Sequence, residues 1–337
     1  MKAQTAVTGI SYGAMTDAAN QTTGGVTYLN RYAPVNSVST TGLGSYQFTG
    51  PTASNVYFRR NTDSNGNGTP NQNSDNKNNT TTFYQVDNNA RSYGTYEPNA
   101  AEVFLSGNLY QGLRNPFGNG TSADDSNIER IDFYFSGGYT VQAGDALVFF
   151  DLENSGNFGD GFRIAAFTGV GTVNGFTNAP TTYANTGLLV APDSFGGPIT
   201  NPQGGSSASY YRSSYTNGDN LSGNATDTTS IGNLNLVGIL IRFSDLGIAA
   251  GTTIYGYSLM AGDTNPNSAA NLVNWNNATY YPTNTDPAGV GNMDFMGFGA
   301  QISRPVPEPS TYGAIFLGLT AGILGWRRRR RVSAEAA

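Results

Sequence analysis

The sequence predicts an all-β fold, a large antiparallel β-sandwich of jelly-roll-like type with one transmembrane helix at its C-terminus. The first observation is composition: the 337 residues include 44 Gly, 20 Tyr and 18 Phe but only 12% charged residues, which favours strands and turns over helices. The second is spacing, because apolar runs alternate with Gly-, Asn- and Pro-containing turns every 8–12 residues or so, about as in β-sandwiches. The third is a C-terminal stretch, residues 309–326, that contains no charged residue.

The apolar runs place predicted strands at residues 25–35, 54–60, 81–86, 101–107, 128–137, 145–152, 162–170, 207–215, 235–246, 252–262 and 293–303. In one of them Ile131, Phe133 and Phe135 alternate with more polar residues, which predicts a half-buried strand. Residues 236–241 are almost continuously apolar, which predicts a central strand. Residues 61–80 contain no aliphatic or aromatic residue, so we expect a polar loop or insertion there.

The composition also excludes several kinds of chemistry. The chain contains no Cys and no His, so it has no disulfide framework, no thiol nucleophile, no Cys- or His-ligated zinc and no Ser-His-Asp triad. Residues 1–326 carry 12 Lys and Arg against 22 Asp and Glu, a net charge of −10. Nucleic-acid binding requires a basic face, so we expect no nucleic-acid partner.

The C-terminus has three parts in a fixed order. A short motif comes first, then an apolar stretch at residues 310–326, and then an arginine cluster. The motif is Val306, Pro307, Glu308 and Pro309, and the cluster is Arg327, Arg328, Arg329, Arg330 and Arg331. As a helix, the uncharged stretch would be about 27 Å long, close to the hydrocarbon thickness of a bilayer. The arginines should stay on the cytoplasmic side, so the preceding chain should face outward.

This order resembles the PEP-CTERM sorting signal of Gram-negative bacteria that produce exopolysaccharide, over residues 306–331. The resemblance implies processing near the motif by an exosortase, a membrane cysteine protease. It also implies a protein that is exported, anchored in the membrane by the C-terminal helix, and then released to the outer surface or the extracellular matrix. Residues 245–259 look like stretches of other PEP-CTERM surface proteins of unknown function, which adds no activity.

The domain organisation predicted from these features has four parts: an exported body at residues 1–303, a linker with the motif at 304–309, a transmembrane helix at 310–326 and a cytoplasmic tail at 327–337. Export requires a signal peptide with an apolar core. The first 20 residues contain no such run, so we expect one to be encoded upstream of Met1.

The most ligand-like loop is residues 151–161. Its candidate calcium ligands are Asp151, Glu153, Ser155, Asn157 and Asp160, and Gly156 stands at the sixth position, as in an EF-hand loop. The twelfth position is Phe162, where a bidentate Glu is expected. The alternative is a hairpin that joins residues 145–152 to residues 162–170, without a metal.

Aromatic residues in loops suggest a second kind of site. Trp275, Tyr280 and Tyr281 lie among Asn, Thr and Asp residues, which suits stacking on sugar rings and recognition of hydroxyl groups. Tyr210, Tyr211 and Tyr215 form a second such group. The alternative is that these rings cover the faces of sheets.

An enzyme would have to use a carboxylate pair, as in glycoside hydrolases. The candidates, Glu129 with Asp132 or Asp151 with Glu153, are close neighbours in the sequence, which does not place them across a cleft. We therefore expect no enzymatic activity. The expected role is structural or adhesive, within exopolysaccharide or biofilm. The alternative is a carbohydrate-binding module or calcium-dependent lectin, and a glycan hydrolase comes after both.

Overall fold

The structure is a computed structural model. It describes residues 4–13, 16–17, 21–23, 26–28, 31–32, 34–59, 77–78, 104–105, 107, 109, 112–113, 116–118, 128–153, 158–197, 199, 208–209, 230–231, 235–282, 284–285, 293, 295–296, 299–307, 320 and 323. The predicted strand at 81–86, the Tyr210, Tyr211 and Tyr215 group, and nearly all of the predicted transmembrane helix lie outside these residues. No helix among the described residues is long and apolar enough to cross a membrane.

The strands, in chain order, are β1 (Thr5–Tyr12), β2 (Thr16–Asp17), β3 (Gln21–Thr23), β4 (Val26–Tyr28), β5 (Arg31–Tyr32), β6 (Val35–Thr40), β7 (Gly44–Gln47), β8 (Asn55–Arg59), β9 (Lys77–Asn78), β10 (Gly112–Leu113), β11 (Arg130–Thr140), β12 (Ala146–Glu153), β13 (Phe162–Val173), β14 (Phe176–Tyr183), β15 (Leu188–Val190), β16 (Ala208–Ser209), β17 (Ser230–Ile231), β18 (Asn235–Arg242), β19 (Thr253–Ala261), β20 (Phe295–Met296) and β21 (Arg304–Pro305). A short 3-10 helix spans Ala269–Leu272.

Two antiparallel sheets form the body. Sheet A has the strand order β12-β18-β1-β6-β7-β21, and sheet B has the order β14-β13-β19-β11-β8-β9 with β15 beside β13. Strands β2 with β5, β3 with β4, β10 with β20 and β16 with β17 form separate two-stranded pairs. The predicted all-β antiparallel sandwich is confirmed.

The largest hydrophobic cluster lies between the sheets. It takes Leu147 and Phe149 from β12 in sheet A and Ile131 and Phe133 from β11 in sheet B. The Phe149 ring lies 5.9 Å from the ring of Tyr257 on β19, in an edge-to-face arrangement. Such aromatic pairs stabilise a core beyond the area that they bury.

Each sheet also buries its outer face. On sheet A, Val148 and Phe150 point away from the first cluster into a second one. On sheet B, Phe167 and Met260 belong to a third cluster, with Trp275. Because both faces are covered, β12 and β18 carry nearly continuous apolar runs, and β18 lies between β12 and β1 as the predicted central strand.

Strand β11 follows the predicted alternation on the face between the sheets but differs from it on the opposite face. Ile131, Phe133 and Phe135 are buried between the sheets as predicted. On the other face Ser136 is exposed, but Asp132 is completely buried. The prediction of a half-buried strand is therefore wrong at Asp132, because a segment beyond β19 covers that part of sheet B.

The hairpin predicted between residues 145–152 and 162–170 is also wrong. Strand β12 belongs to sheet A and β13 belongs to sheet B, so the loop between them crosses from one sheet to the other. Strand β13 instead forms a hairpin with β14, with Val173 opposite Phe176. Its two turn residues, Asn174 and Gly175, have φ angles of 51° and 83°, as a type I′ Asn-Gly turn requires.

Candidate functional site

The chain that leads into the Val-Pro-Glu-Pro sequence is built into the sandwich. The Ile302 N–H donates to the carbonyl of Pro51, and the Gly50 N–H donates to the carbonyl of Ile302, both at 3.0 Å. The Ala53 N–H donates to the carbonyl of Ala300 at 2.7 Å. The segment from residue 300 onward is therefore held by backbone hydrogen bonds before it reaches β21.

Strand β21 lies against β7, with Arg304 opposite Gln47. Just before it, Ser303 exchanges two backbone hydrogen bonds with Ala146 at the start of β12, at 2.8 and 2.9 Å. Just after it, the Val306 N–H donates to the carbonyl of Ser45 at 2.8 Å. The predicted linker at residues 304–309 thus begins inside sheet A, and the folded body continues to Val306.

A polar cluster, which we call the C-terminal latch, fixes β21 from the side. It consists of Arg304, Tyr139 and Asp145. Arg304 Nε lies 3.1 Å from Asp145 Oδ1, and its Nη2 donates to the Tyr139 hydroxyl at 3.0 Å. That hydroxyl donates to Asp145 Oδ2, which also accepts the Gln142 N–H at 2.7 Å.

The electrostatics of the latch follow from burial. Asp145 is only 2% exposed, so its charge requires partners, and Arg304 and Tyr139 supply them. Burial of the Tyr139 hydroxyl and its hydrogen bond to Asp145 both raise the pKa of Tyr139. The hydrogen bond from Arg304 to Tyr139 contributes most to raising the pKa of Arg304. Both shifts keep the Tyr139 hydroxyl protonated and the Arg304 guanidinium charged at neutral pH.

A second polar cluster lies on the outer face of sheet B, beneath the segment that covers it. Asp132 Oδ2 accepts hydrogen bonds from Arg59 Nε at 3.0 Å and Arg130 Nη2 at 3.1 Å. Asp132 Oδ1 accepts the Ser258 hydroxyl at 2.6 Å and lies 2.7 Å from Arg130 Nε. Arg59, Arg130 and Asp132 are between 0% and 2% exposed, so we call them the buried charge cluster.

This cluster holds a cover over sheet B. The cover segment is residues 263–282. Arg130 Nη1 donates to the carbonyls of Leu272 and Val273 at 2.6 and 3.2 Å. The guanidinium carbons of Arg130 and Arg59 lie 4.7 and 5.2 Å from the centre of the Trp275 ring. Cation–aromatic contacts of this kind are strongest where water is excluded.

The buried charge cluster also changes the acidity of its neighbours. Burial lowers the pKa of Arg130, but the charge of Asp132, its hydrogen bond to Arg130, and the neighbouring Tyr183 and Tyr281 together outweigh burial and raise the pKa overall. Burial raises the pKa of Tyr281 to about 12, although the positive charge of Arg130 opposes the rise. The Tyr281 hydroxyl donates to the carbonyl of Leu272 at 2.8 Å. At neutral pH, Arg130 therefore stays charged and Tyr281 stays neutral, so their contacts with the cover do not change.

The predicted sugar-stacking residues require a correction. Trp275 is 0% exposed and Tyr281 is 1% exposed, because both pack in the cluster on the outer face of sheet B. Neither ring offers a face to a ligand in this structure. Tyr280 is half-buried beside them. For Trp275 and Tyr281 the alternative is correct: these rings cover a sheet.

The structure describes only part of the predicted calcium loop. Ser155 and Asn157 lie outside the described residues, and so does the side chain of Glu153. Asp151 is completely buried, and its Oδ2 accepts the Asp160 N–H at 2.8 Å. In the described part of the chain, no group of three or more acidic residues could hold a metal ion. Calcium binding at this loop stays a prediction.

Among the carboxylates considered for catalysis, Asp132 has the clearest structural partners. Asp132 is neutralised by two guanidinium groups. Glu129 is 4% exposed, and its N–H donates to the carbonyl of Arg59 at 2.9 Å. The structure therefore gives Asp132 the role of a counter-ion.

Neither the latch nor the buried charge cluster was predicted from the sequence. The sequence did contain a sign of the buried charge cluster, because Arg130 and Asp132 interrupt an apolar strand in a chain with only 12% charged residues. Charged residues are rarely buried unless they are paired. Arg304 carried no such signal, because it stands at the edge of an apparent linker.

The folded body thus ends in a strand bound to sheet A, and the Val-Pro-Glu-Pro sequence follows directly. Residues 305–331 match the family model of the PEP-CTERM protein-sorting motif. The chain therefore carries a PEP-CTERM sorting signal, and the prediction made from Val306, Pro307, Glu308 and Pro309 is confirmed. Such a signal implies export to the cell envelope and processing by an exosortase. No curated protein and no solved structure matches the chain.

Proposed function

We propose that this protein is exported and cut by an exosortase at its sorting motif, and that its β-sandwich then has a structural or adhesive role in the exopolysaccharide matrix. The match of residues 305–331 to the sorting motif carries this proposal. The release step would remove the uncharged stretch at 310–326 and the arginine cluster. The released body would carry a net charge close to −10, which favours solubility at the cell surface.

The proposed role is non-enzymatic. Two of the buried carboxylates have ion-pair partners: Asp132 is paired with Arg59 and Arg130, and Asp145 is paired with Arg304. A catalytic acid or base has to reach a substrate, whereas Asp132 and Asp145 are 0% and 2% exposed. These observations support a role in which the protein acts through its folded surface and catalyses no reaction.

Processing is tested by expressing the full gene, with its upstream sequence, in a host with an exosortase and in its exosortase deletion strain. We expect a shortened form at the surface or in the medium of the parent, and the full-length form in membranes of the deletion strain. A variant with Pro307, Glu308 and Pro309 replaced by Ala should behave like the deletion strain. Arg242→Gln, a change within the body, should be processed normally. Equal chain lengths in both strains would contradict the proposal.

The role in the matrix is tested with the released body and a glycan array. A structural role predicts no binding to isolated polysaccharides, together with a mechanically weaker biofilm when the gene is deleted. Saturable binding to one polysaccharide would favour the carbohydrate-binding alternative instead.

Calcium is tested on the same material by a titration followed by thermal melting. A rise in the melting temperature that Asp160→Ala abolishes would support the calcium-dependent alternative. Ligands that bind only the folded state raise its apparent stability.

A further inference from the structure

The sorting motif and the folded body overlap in the sequence. The family match begins at Pro305, which is a residue of β21. Val306, the first residue of the Val-Pro-Glu-Pro sequence, still donates its N–H to Ser45. The body and the motif are therefore joined without a spacer.

The two sides of β21 differ in what they offer to another chain. In an antiparallel strand, successive N–H and C=O groups point to opposite sides. The backbone N–H and C=O groups of Arg304 and Val306 point toward β7, where the Val306 N–H donates to the carbonyl of Ser45. Residue 305 points to the other side and is Pro, which has no N–H. On that other side, the carbonyl of Pro305 is the only backbone hydrogen-bonding group that β21 offers.

Proteins commonly capture an extended peptide by adding it to a sheet as a strand, and they use its backbone N–H and C=O groups. In the docked position, the chain from Ser303 to Val306 cannot be captured in that way. The N–H groups of Ser303 and Val306 are used by Ala146 and Ser45, Arg304 is paired with Gln47 of β7, and Pro305 has no N–H. The Arg304 side chain is also held, by Asp145 and Tyr139.

Resting on the proposed processing, we propose that β21 and the C-terminal latch confine the cut to bonds on the C-terminal side of Val306. Arg304 is a positioning residue: it acts by keeping β21 on the sheet. After the cut, the new C-terminus stays attached to sheet A. The partner that this arrangement fits is a protease that takes its substrate from Pro307 onward, beyond the edge strand β21.

The experiment uses the full chain in the exosortase-containing host, and the C-terminus of the mature protein is read from its intact mass. We expect the wild-type product to include Val306. In Arg304→Ala, β21 should leave the sheet more often, and products that end before Val306 should appear. Arg242→Gln is the matched control, because the Arg242–Asp245 pair has a similar exposure, 30% against 32% for the two arginines.

A wild-type product that lacks Val306 would overturn the proposal. So would an Arg304→Ala product with the same end and the same rate of formation as the wild type. Arg304→Lys, which keeps the charge, should restore part of the wild-type pattern. Thermal melting of each variant separates loss of the latch from loss of the whole fold.

If the wild type is not processed at all, the proposed function fails, and docking is then decided by hydrogen exchange of the purified full chain. The Val306 amide should exchange more slowly than in an unfolded peptide, and Arg304→Ala should speed its exchange about fivefold, as expected for one partly exposed ion pair. A Val306 amide that exchanges as fast as in an unfolded peptide would overturn the proposal on its own.

Discussion

At the scale of single residues, the buried charge cluster is the feature with the largest consequence. Two guanidinium groups share one carboxylate inside the protein, and aromatic rings cover them. The net contribution of such a group to stability is small, because desolvation offsets the attraction. Removal of the shared carboxylate is a different matter, since it leaves two cations without their counter-ion.

We therefore expect Asp132→Asn to lower the free energy of unfolding by about 3–5 kcal/mol. Arg242→Gln, at a partly exposed pair, should lower it by less than about 1 kcal/mol. Urea unfolding of both variants measures the two values. Equal losses would show that Asp132 is not the centre of a buried network.

The buried tyrosines predict how stability changes at high pH. The pKa of Tyr281 is raised to about 12, above the ordinary value of 10.0, so the folded protein retains a proton that the unfolded chain releases. The stabilising effect is complete below pH 10 and is lost as the pH rises from 10 to 12. Burial also raises the pKa values of Tyr183 and Tyr257 in the same direction.

We expect the urea midpoint to fall between pH 10 and pH 12 in the wild type. Tyr281→Phe should be less stable at pH 8, because it loses the hydrogen bond to Leu272, but its midpoint should fall less steeply. An identical slope in the variant would contradict the assignment of this proton to Tyr281.

At the scale of elements, one glycine determines how β19 fits between its neighbours. Gly256 has a φ angle of 152°, and it lies opposite Tyr134 on β11. A Cβ atom at this position would lie 1.9 Å from the carbonyl oxygen of Phe133 and 2.3 Å from the ring of Phe167. The close approach lets the Phe167 ring pack directly over the β19 backbone.

Gly256→Ala should therefore lower the free energy of unfolding by about 2 kcal/mol or more, because a backbone atom and a core ring would both have to move. The matched control is Gly9→Ala in β1, where the nearest atom to the new Cβ would be Ser39 Cβ at 3.7 Å. That change should be neutral or slightly stabilising. Chemical denaturation of the two variants gives the comparison, and a loss in Gly256→Ala no larger than in Gly9→Ala would refute it.

At the scale of the whole molecule, the protein is layered: apolar clusters lie between the sheets and on the outer face of each sheet. With no Cys for disulfides, these layers and the backbone hydrogen bonds supply the stability of the exported body. The cover segment is held to sheet B by the buried charge cluster. We therefore expect the cover and the sandwich to unfold together.

Tryptophan fluorescence tests this cooperativity. The chain has two Trp residues, Trp275 and Trp326, and a body that is cut at the sorting motif keeps only Trp275. Its buried ring should emit at short wavelength, and the red shift in urea should coincide with the loss of the far-UV circular dichroism of the strands. A red shift at lower urea than the loss of strand signal would show that the cover opens separately.

The sequence predicted well those features that depend on local pattern. The apolar run at residues 236–241 identified a central strand, because burial on both faces leaves no polar positions. The sorting signal was recognisable because its parts follow one another along the chain. Strand β1 was missed, since its sequence of small and polar residues, such as Thr8 and Gly9, has no strong alternation.

Features that depend on distant parts of the chain were not predicted. The crossing from β12 to β13 looks like a hairpin in the sequence, since only partner strands far away show that the two belong to different sheets. The burial of Trp275 depends on Arg130, which is 145 residues earlier in the chain. Loop composition suggested exposure, whereas the tertiary contact determined burial.

The short bridge between Ser303 and Ala146 has a mechanical consequence. In the proposed state in which the C-terminus tethers the protein, any pull from the tether would enter the body through Val306 and Pro305. The hydrogen bond from Val306 to Ser45 would break first, then the contacts of Arg304, and then the pair between Ser303 and Ala146. That last pair links the start of β12 to β21 at the other edge of sheet A. The force would thus be divided between both edges of one sheet, and a moderate pull would release a few residues of chain while the core stayed intact.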